Sequence, residues 1–152
     1  MAFDVENIVM EEGPHGLYFY PKEDAKKPRL ESSDQEDSAT WINYWHPEFK
    51  AFHVVNESGS KSDQKYGALL NRLGRRKGVT DWVIPRRFGK WPIAFIELKR
   101  DSRRAGRLTA EQKENLDHYR AQGYFVAVCW GVSAFIACVN YLNKLDCSSP
   151  QH

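Results

Sequence analysis

No stretch of the 152 residues approaches the run of about 20 apolar side chains that a membrane-spanning helix needs, so no membrane partner is expected. Cysteine is scarce. Cys129, Cys138 and Cys147 are odd in number and spaced for neither a disulfide framework nor a zinc site. They read as reduced thiols of a cytoplasmic protein. The opening "MAFDVENIVMEEG" is acidic and lacks the basic-then-apolar layout of a secretory signal. There is no internal repeat, no low-complexity tract and no helix-turn-helix signature for reading a DNA groove. What remains, with 41% hydrophobic and 28% charged residues, is the composition of one globular domain with a real core.

Acids are also scarce where bases are dense. Residues 1–60 carry 12 acids against 5 bases, whereas residues 72–107 carry 12 bases against 3 acids. Arginine outnumbers lysine nine to three in that second block, and guanidinium suits phosphate better than ammonium does. A polyanion is the expected partner, nucleic acid above all. Its contacts are expected from Arg75, Arg76, Lys77, Arg86, Arg87, Arg100, Arg103, Arg104 and Arg107. The three acids are Asp81, Glu97 and Asp101. Isolated carboxylates in a phosphate-attracting surface need a reason, and a bound divalent cation supplies one.

Residues 1–30 hold Gly13, Pro14, Gly16, Pro21 and Pro28 and read as an irregular lead-in, with a short strand at "LYFY". A helix is expected over 31–44, stopped by His46-Pro47, and a strand over 49–55. A basic helix follows over 63–76, interrupted by Gly67. Strands are expected at "DWVIP" (81–85), "IAFIELK" (93–99) and "YFVAVCW" (124–130). Between the last two lies a helix with Thr109 as N-cap, Gln112 at the third position of a capping box and Gly123 just past its end. A nearly all-apolar helix over 133–145 closes the domain, and 146–152 is a tail. Trp41, Tyr44 and Trp45 read as core, and His53 as a strand residue rather than a ligand. The fold class is α/β, a mixed central β-sheet flanked by helices.

Alternation puts Glu97 and Lys99 on one face of a strand. With Asp81 on the preceding strand, two carboxylates can converge at one end of the sheet. Such an oxygen-rich site suits Mg²⁺ or Mn²⁺, and the backbone carbonyl of Leu98 is placed to add a ligand. Lys99 can orient a nucleophile or offset transition-state charge. The assembled chemistry is phosphodiester hydrolysis. A Glu-x-Lys pair alone is weak, and an exposed strand-end ion pair competes with it on equal terms.

The ordered set "KGVTDWVIP", "IAFIELKR", "GRLTAEQ" and "AQGYFVAVCWG" resembles the VRR-NUC domain of the PD-(D/E)XK nuclease superfamily. That family runs Gly-Val-Pro-Asp, a strand ending Glu-Leu-Lys, a Ser/Thr-x-Glu-Gln helix start and a Gly-Tyr-x-Val strand. "FHVVNESG" resembles its upstream strand, and Glu31 with Gln35 its Glu-x-x-x-Gln. One position departs: Thr80 stands where the family has proline. The resemblance spans about residues 31–143 and implies a restriction-endonuclease-like nuclease domain over 31–145. It also implies metal-dependent DNA cleavage, with Asp81 and Glu97 as ligands and Lys99 as catalytic base or electrostatic partner. Gln112 joins the site, and Glu31 either reaches the metal or is simply a helix-start acid. Stand-alone relatives in phages and bacteria imply a homodimer that resolves four-way (Holliday) junctions. The apolar last helix adds a physical motive for a dimer. A nicking or restriction-type endonuclease is the alternative. A DNA-binding module with a vestigial site is a second, against which the intact Asp81, Glu97 and Lys99 argue.

Overall fold

The computed structural model describes residues 3–55 and 64–148. Six strands form one mixed sheet in the order β1-β2-β6-β5-β4-β3. They are β1 (Ile8–Gly13), β2 (Gly16–Pro21), β3 (Phe52–His53), β4 (Trp82–Ile84), β5 (Ala94–Lys99) and β6 (Phe125–Trp130). β2, β6 and β5 run parallel in the middle, and β1, β4 and β3 are antiparallel to their neighbours. Four helices complete the domain: α1 (Glu31–Trp45), α2 (Gln64–Arg72), α3 (Ala110–Ala121) and α4 (Val132–Ser148).

β6 explains the layering. Every residue of "FVAVCW" is buried, as a central parallel strand covered on both faces must be. Phe125, Ala127 and Cys129 pack with Ile96, Leu98 and the α4 side chains Phe135, Val139 and Leu142. Val126, Val128 and Trp130 pack with Leu116 of α3 and Tyr18. α1 and α4 therefore cover one face and α3 the other. On β5 the alternation gives Ala94, Ile96 and Leu98 to the α4 side and sends Phe95, Glu97 and Lys99 toward α3. The side of α3 is thus where the charged end of β5 emerges.

Several expectations are corrected. The lead-in holds the expected strand at "LYFY", as β2, but is more regular than expected, since β1 pairs with β2 as a hairpin whose second strand joins β6. The turn works because Gly16 takes φ +143°, where a Cβ would stand 2.7 Å from the Val126 carbonyl oxygen. The strand over 49–55 shrinks to Phe52–His53 behind a 3₁₀ turn at Pro47–Phe49. Its expected end at Asn56-Glu57 lies outside the described residues. α4 runs on to Ser148, into the expected tail. Tyr44 and Trp45 are exposed rather than core, and only Trp41 packs against the interior. α4 also loses its claim on a partner: Ala134, Phe135, Ile136, Val139 and Leu142 are all buried within this one chain. The thiols of Cys129 and Cys138 are free and buried.

Candidate active site

β4 and β5 form an antiparallel pair in which Trp82 faces Ile96 and Val83 faces Phe95. One step further along the same register sets Asp81 opposite Glu97, on the face toward α3. The two carboxyl groups are close enough for each to raise or lower the other's proton affinity. Glu97 is 1% exposed and Lys99 6%, whereas Asp81 is closely packed but keeps an open edge.

Each group is held from a different element. Asp81 Oδ2 accepts from the Leu98 backbone N–H at 2.7 Å. Within a strand residue the N–H and C=O point to roughly the same side, so the Leu98 carbonyl belongs to the same edge as that N–H. Glu97 Oε1 pairs with Lys99 Nζ at 3.3 Å and accepts from Gln112 Nε2 at 2.6 Å. Glu97 Oε2 is buried with no donor among the described residues.

Gln112 arrives there because its backbone is fixed first. Thr109 Oγ1 accepts from the Gln112 N–H at 3.1 Å, and Gln112 Oε1 accepts from the Thr109 N–H at 2.9 Å. The capping box uses the amide oxygen and Glu97 takes the amide nitrogen, so one side chain holds both the helix start and the site. The loop before β4 closes against the same turn. Gly78 sits at φ +74°, where a Cβ would lie 2.6 Å from the Glu111 carbonyl carbon.

The electrostatics follow from this packing. Burial, opposed by the Leu98 N–H and Lys99, pushes the Asp81 carboxyl up to about 6. Burial and then the Asp81 charge push Glu97 well above the usual carboxylate range, with Lys99 pulling back. Two neighbouring carboxylates, one with an orphaned oxygen, between helix and sheet are hard oxygen donors of the kind a divalent cation takes. Glu31, exposed at the start of α1, adds its negative field to both acids. Among the described residues, however, no three acidic, histidine or cysteine side chains gather closely enough to hold an ion together. Asp81 and Glu97 are the pair. Gln35 faces elsewhere, accepting from the Trp82 indole N–H at 2.8 Å. The His53 ring packs at 5.5 Å against Trp82.

The basic block does not form one surface. The β4–β5 hairpin sets the turn carrying Arg86, Arg87 and Lys90 at the opposite end from Asp81 and Glu97. Arg86 is engaged with Asp146 at 2.9 Å and lies over Phe49. Arg100 turns inward and donates to the carbonyls of Arg29 and Pro28 at 2.8 and 2.9 Å. Arg103 stacks on Tyr20, and Arg75 donates to Asn71. Arg76, Lys77, Arg104 and Arg107 remain exposed on the segments that flank the site. Asp34 carries no sequence signal. It is 1% exposed, its carboxyl is raised to about 6 by burial, and Arg29 stands 3.4 Å away.

A solved structure described as a VRR_NUC domain protein shares this fold with a TM-score of 0.65. It is 22% identical, over 78% of this chain and 92% of that one. No curated protein matches the chain. The VRR-NUC domain model matches residues 30–133, from just before α1 to the first turn of α4, and includes every site residue described above. The chain therefore belongs to the VRR-NUC domain family, within the PD-(D/E)XK nuclease superfamily.

Proposed function

We propose that this nuclease domain is a divalent-metal-dependent DNA endonuclease that hydrolyses phosphodiester bonds, with Asp81 and Glu97 as metal ligands and Lys99 at the reacting phosphate. The observation that carries the reading is the pairing of Asp81 with Glu97 across the β4–β5 register, with the buried Glu97 Oε2 left without a donor among the described residues. Holding two carboxylates together is costly unless a cation shares them. Their oxygens and the Leu98 carbonyl are hard donors that suit Mg²⁺ or Mn²⁺. When bound, such an ion lowers the pKa of a coordinated water and offsets charge on the phosphate oxygens.

The chain's own groups do the rest. Leu98 N–H fixes the Asp81 carboxylate, and Gln112 fixes the rotamer of Glu97. Lys99, held 3.3 Å from Glu97, is set to orient the attacking water and to stabilise charge as the P–O bond breaks. Glu31 acts through its field from the rim of the site. Arg76, Lys77, Arg104 and Arg107 grip the DNA backbone on either side.

Incubation with branched and linear DNA, with and without Mn²⁺, tests this reading. Cleavage should require the ion, and Asp81→Ala or Glu97→Ala should lower it at least about 100-fold while DNA binding survives. Wild-type cleavage by either variant, or full cleavage in chelator, would overturn the assignment. The family resemblance adds a four-way junction cut by a two-fold dimer. Competition by linear duplex of equal length, and a mass in solution near twice 17.6 kDa, are the matching measurements.

A further inference from the structure

α2 is the one named helix along which no other helix or strand of the described residues packs closely. Its apolar side chains nevertheless fall on one face. Tyr66 and Leu69 on α2 and Leu73 just past its end, at spacings of three and four, are 57%, 39% and 73% exposed. The described residues leave them uncovered, and residues 56–63 just before the helix read NESGSKSD, without one large apolar side chain. An exposed stripe of this kind marks an interaction surface.

The charge around the stripe narrows the partner. Residues 64–80 hold five bases and no acid. A second copy docked face to face across a two-fold axis would set this positive stretch against itself, which disfavours self-association here. A polyanion is favoured. The position fits one too, since the segment leaving α2 runs along α3 toward the site. The Lys77 carbonyl accepts from Asn115 Nδ2 at 2.9 Å, and the Arg76 charge is felt at Tyr119. Arg72 and Arg76 are exposed beside the stripe. An intact duplex offers phosphates and groove edges, neither of which matches an apolar stripe. Base faces do, and they become available where stacking is interrupted.

We propose that α2 is a DNA-engaging arm that lays Tyr66, Leu69 and Leu73 against unstacked bases at a nick, flap or branch, while Arg72 and Arg76 hold the adjoining phosphates. This deepens the nuclease reading and rests on it for the identity of the polyanion. Interrupted DNA is thereby selected through a surface outside the catalytic group, which cuts whatever backbone α2 presents.

The test measures binding without cleavage, in a Glu97→Gln background, on intact, nicked and flapped duplexes of equal length. The triple variant Tyr66→Ser/Leu69→Ser/Leu73→Ser should bind nicked and flapped DNA about tenfold more weakly, losing stacking. Its affinity for intact duplex should stay within about twofold, because the phosphate contacts remain. Arg72→Ala/Arg76→Ala should weaken all three alike. Tyr66→Phe should behave as wild type, and unchanged melting temperatures confirm that the folds are intact. No loss, or equal loss on all three DNAs, overturns the proposal. So does a mass in solution that halves in the triple-serine variant, which would make the stripe an interface between copies. Failure of the nuclease reading is seen separately, as absence of Mn²⁺-dependent cleavage by the unmodified chain, and leaves the binding comparison readable.

Discussion

At the residue scale, chemistry was legible and direction was not. Asp81, Glu97 and Lys99 meet where strand alternation puts them, and Gln112 holds the capping box its spacing implies, while its reach to Glu97 was implied only by the family resemblance. The inward turn of Arg100 and the burial of Asp34 are set by neighbours about 70 residues away in the first case and by helix packing in the second, and neither leaves a trace in a window of sequence. Thr80 is a third case. It is fully buried, and its hydroxyl has no partner among the described residues. An orphaned hydroxyl is destabilising, whereas the near-isosteric valine carries no such debt. Thr80→Val should raise stability by about 1 kcal/mol, seen as a melting temperature about 2–4 °C higher, with cleavage unchanged. A lower melting temperature would show that the hydroxyl is satisfied after all.

At the element scale, the strongly periodic pieces were legible and the edges were not. α3, β5 and β6 sit where their caps and apolar runs put them. β1 hid because an edge strand with one solvated face reads IVMEEG, only half apolar, and because Gly13-Pro14-His15-Gly16 looked like loop rather than a hairpin turn. α4 misled in the other direction. Its apolar circumference suggested a partner chain, yet α1 and the sheet already cover it. The join between elements carries a prediction of its own. Gly78 at φ +74° touches the first turn of α3 so closely that any Cβ must push Glu111 and Gln112 away. Gly78→Ala should therefore displace Gln112 from Glu97, lowering kcat at least about tenfold while DNA affinity changes little. It should also cost stability by about 1–3 kcal/mol. Wild-type kcat in this variant would mean that the loop relaxes without moving α3.

At the scale of the whole molecule, the buried acids make stability depend on pH and, on the proposed assignment, on metal as well. Asp81 and Asp34 are each raised to about 6, and Glu97 is raised well above its usual range, all chiefly by burial. In every case the folded carboxyl holds its proton at a pH where the unfolded one, near 4, has released it. The stabilisation tied to that proton is thus complete below about pH 4 and is lost as pH rises to about 6 for Asp81 and Asp34, and at higher pH for Glu97. In chelator the protein should melt several degrees lower at pH 8 than at pH 5.5. A rise of about two pKa units gives Asp81 a share of about 3 kcal/mol over the whole span, of which only about 1 kcal/mol falls between pH 5.5 and 8. A divalent ion changes the sign at the active site only. On the proposed assignment it binds the deprotonated Asp81–Glu97 pair, so its stabilising effect should grow with pH and offset that part of the loss. Asp34 lies outside the pair, and its share should persist with Mn²⁺ present and vanish in Asp34→Asn. Melting temperatures in Mn²⁺ and in chelator across pH 5.5–8 separate the two sources. A gap between the two curves that does not widen with pH would mean that Asp81 and Glu97 do not take up the ion as a deprotonated pair.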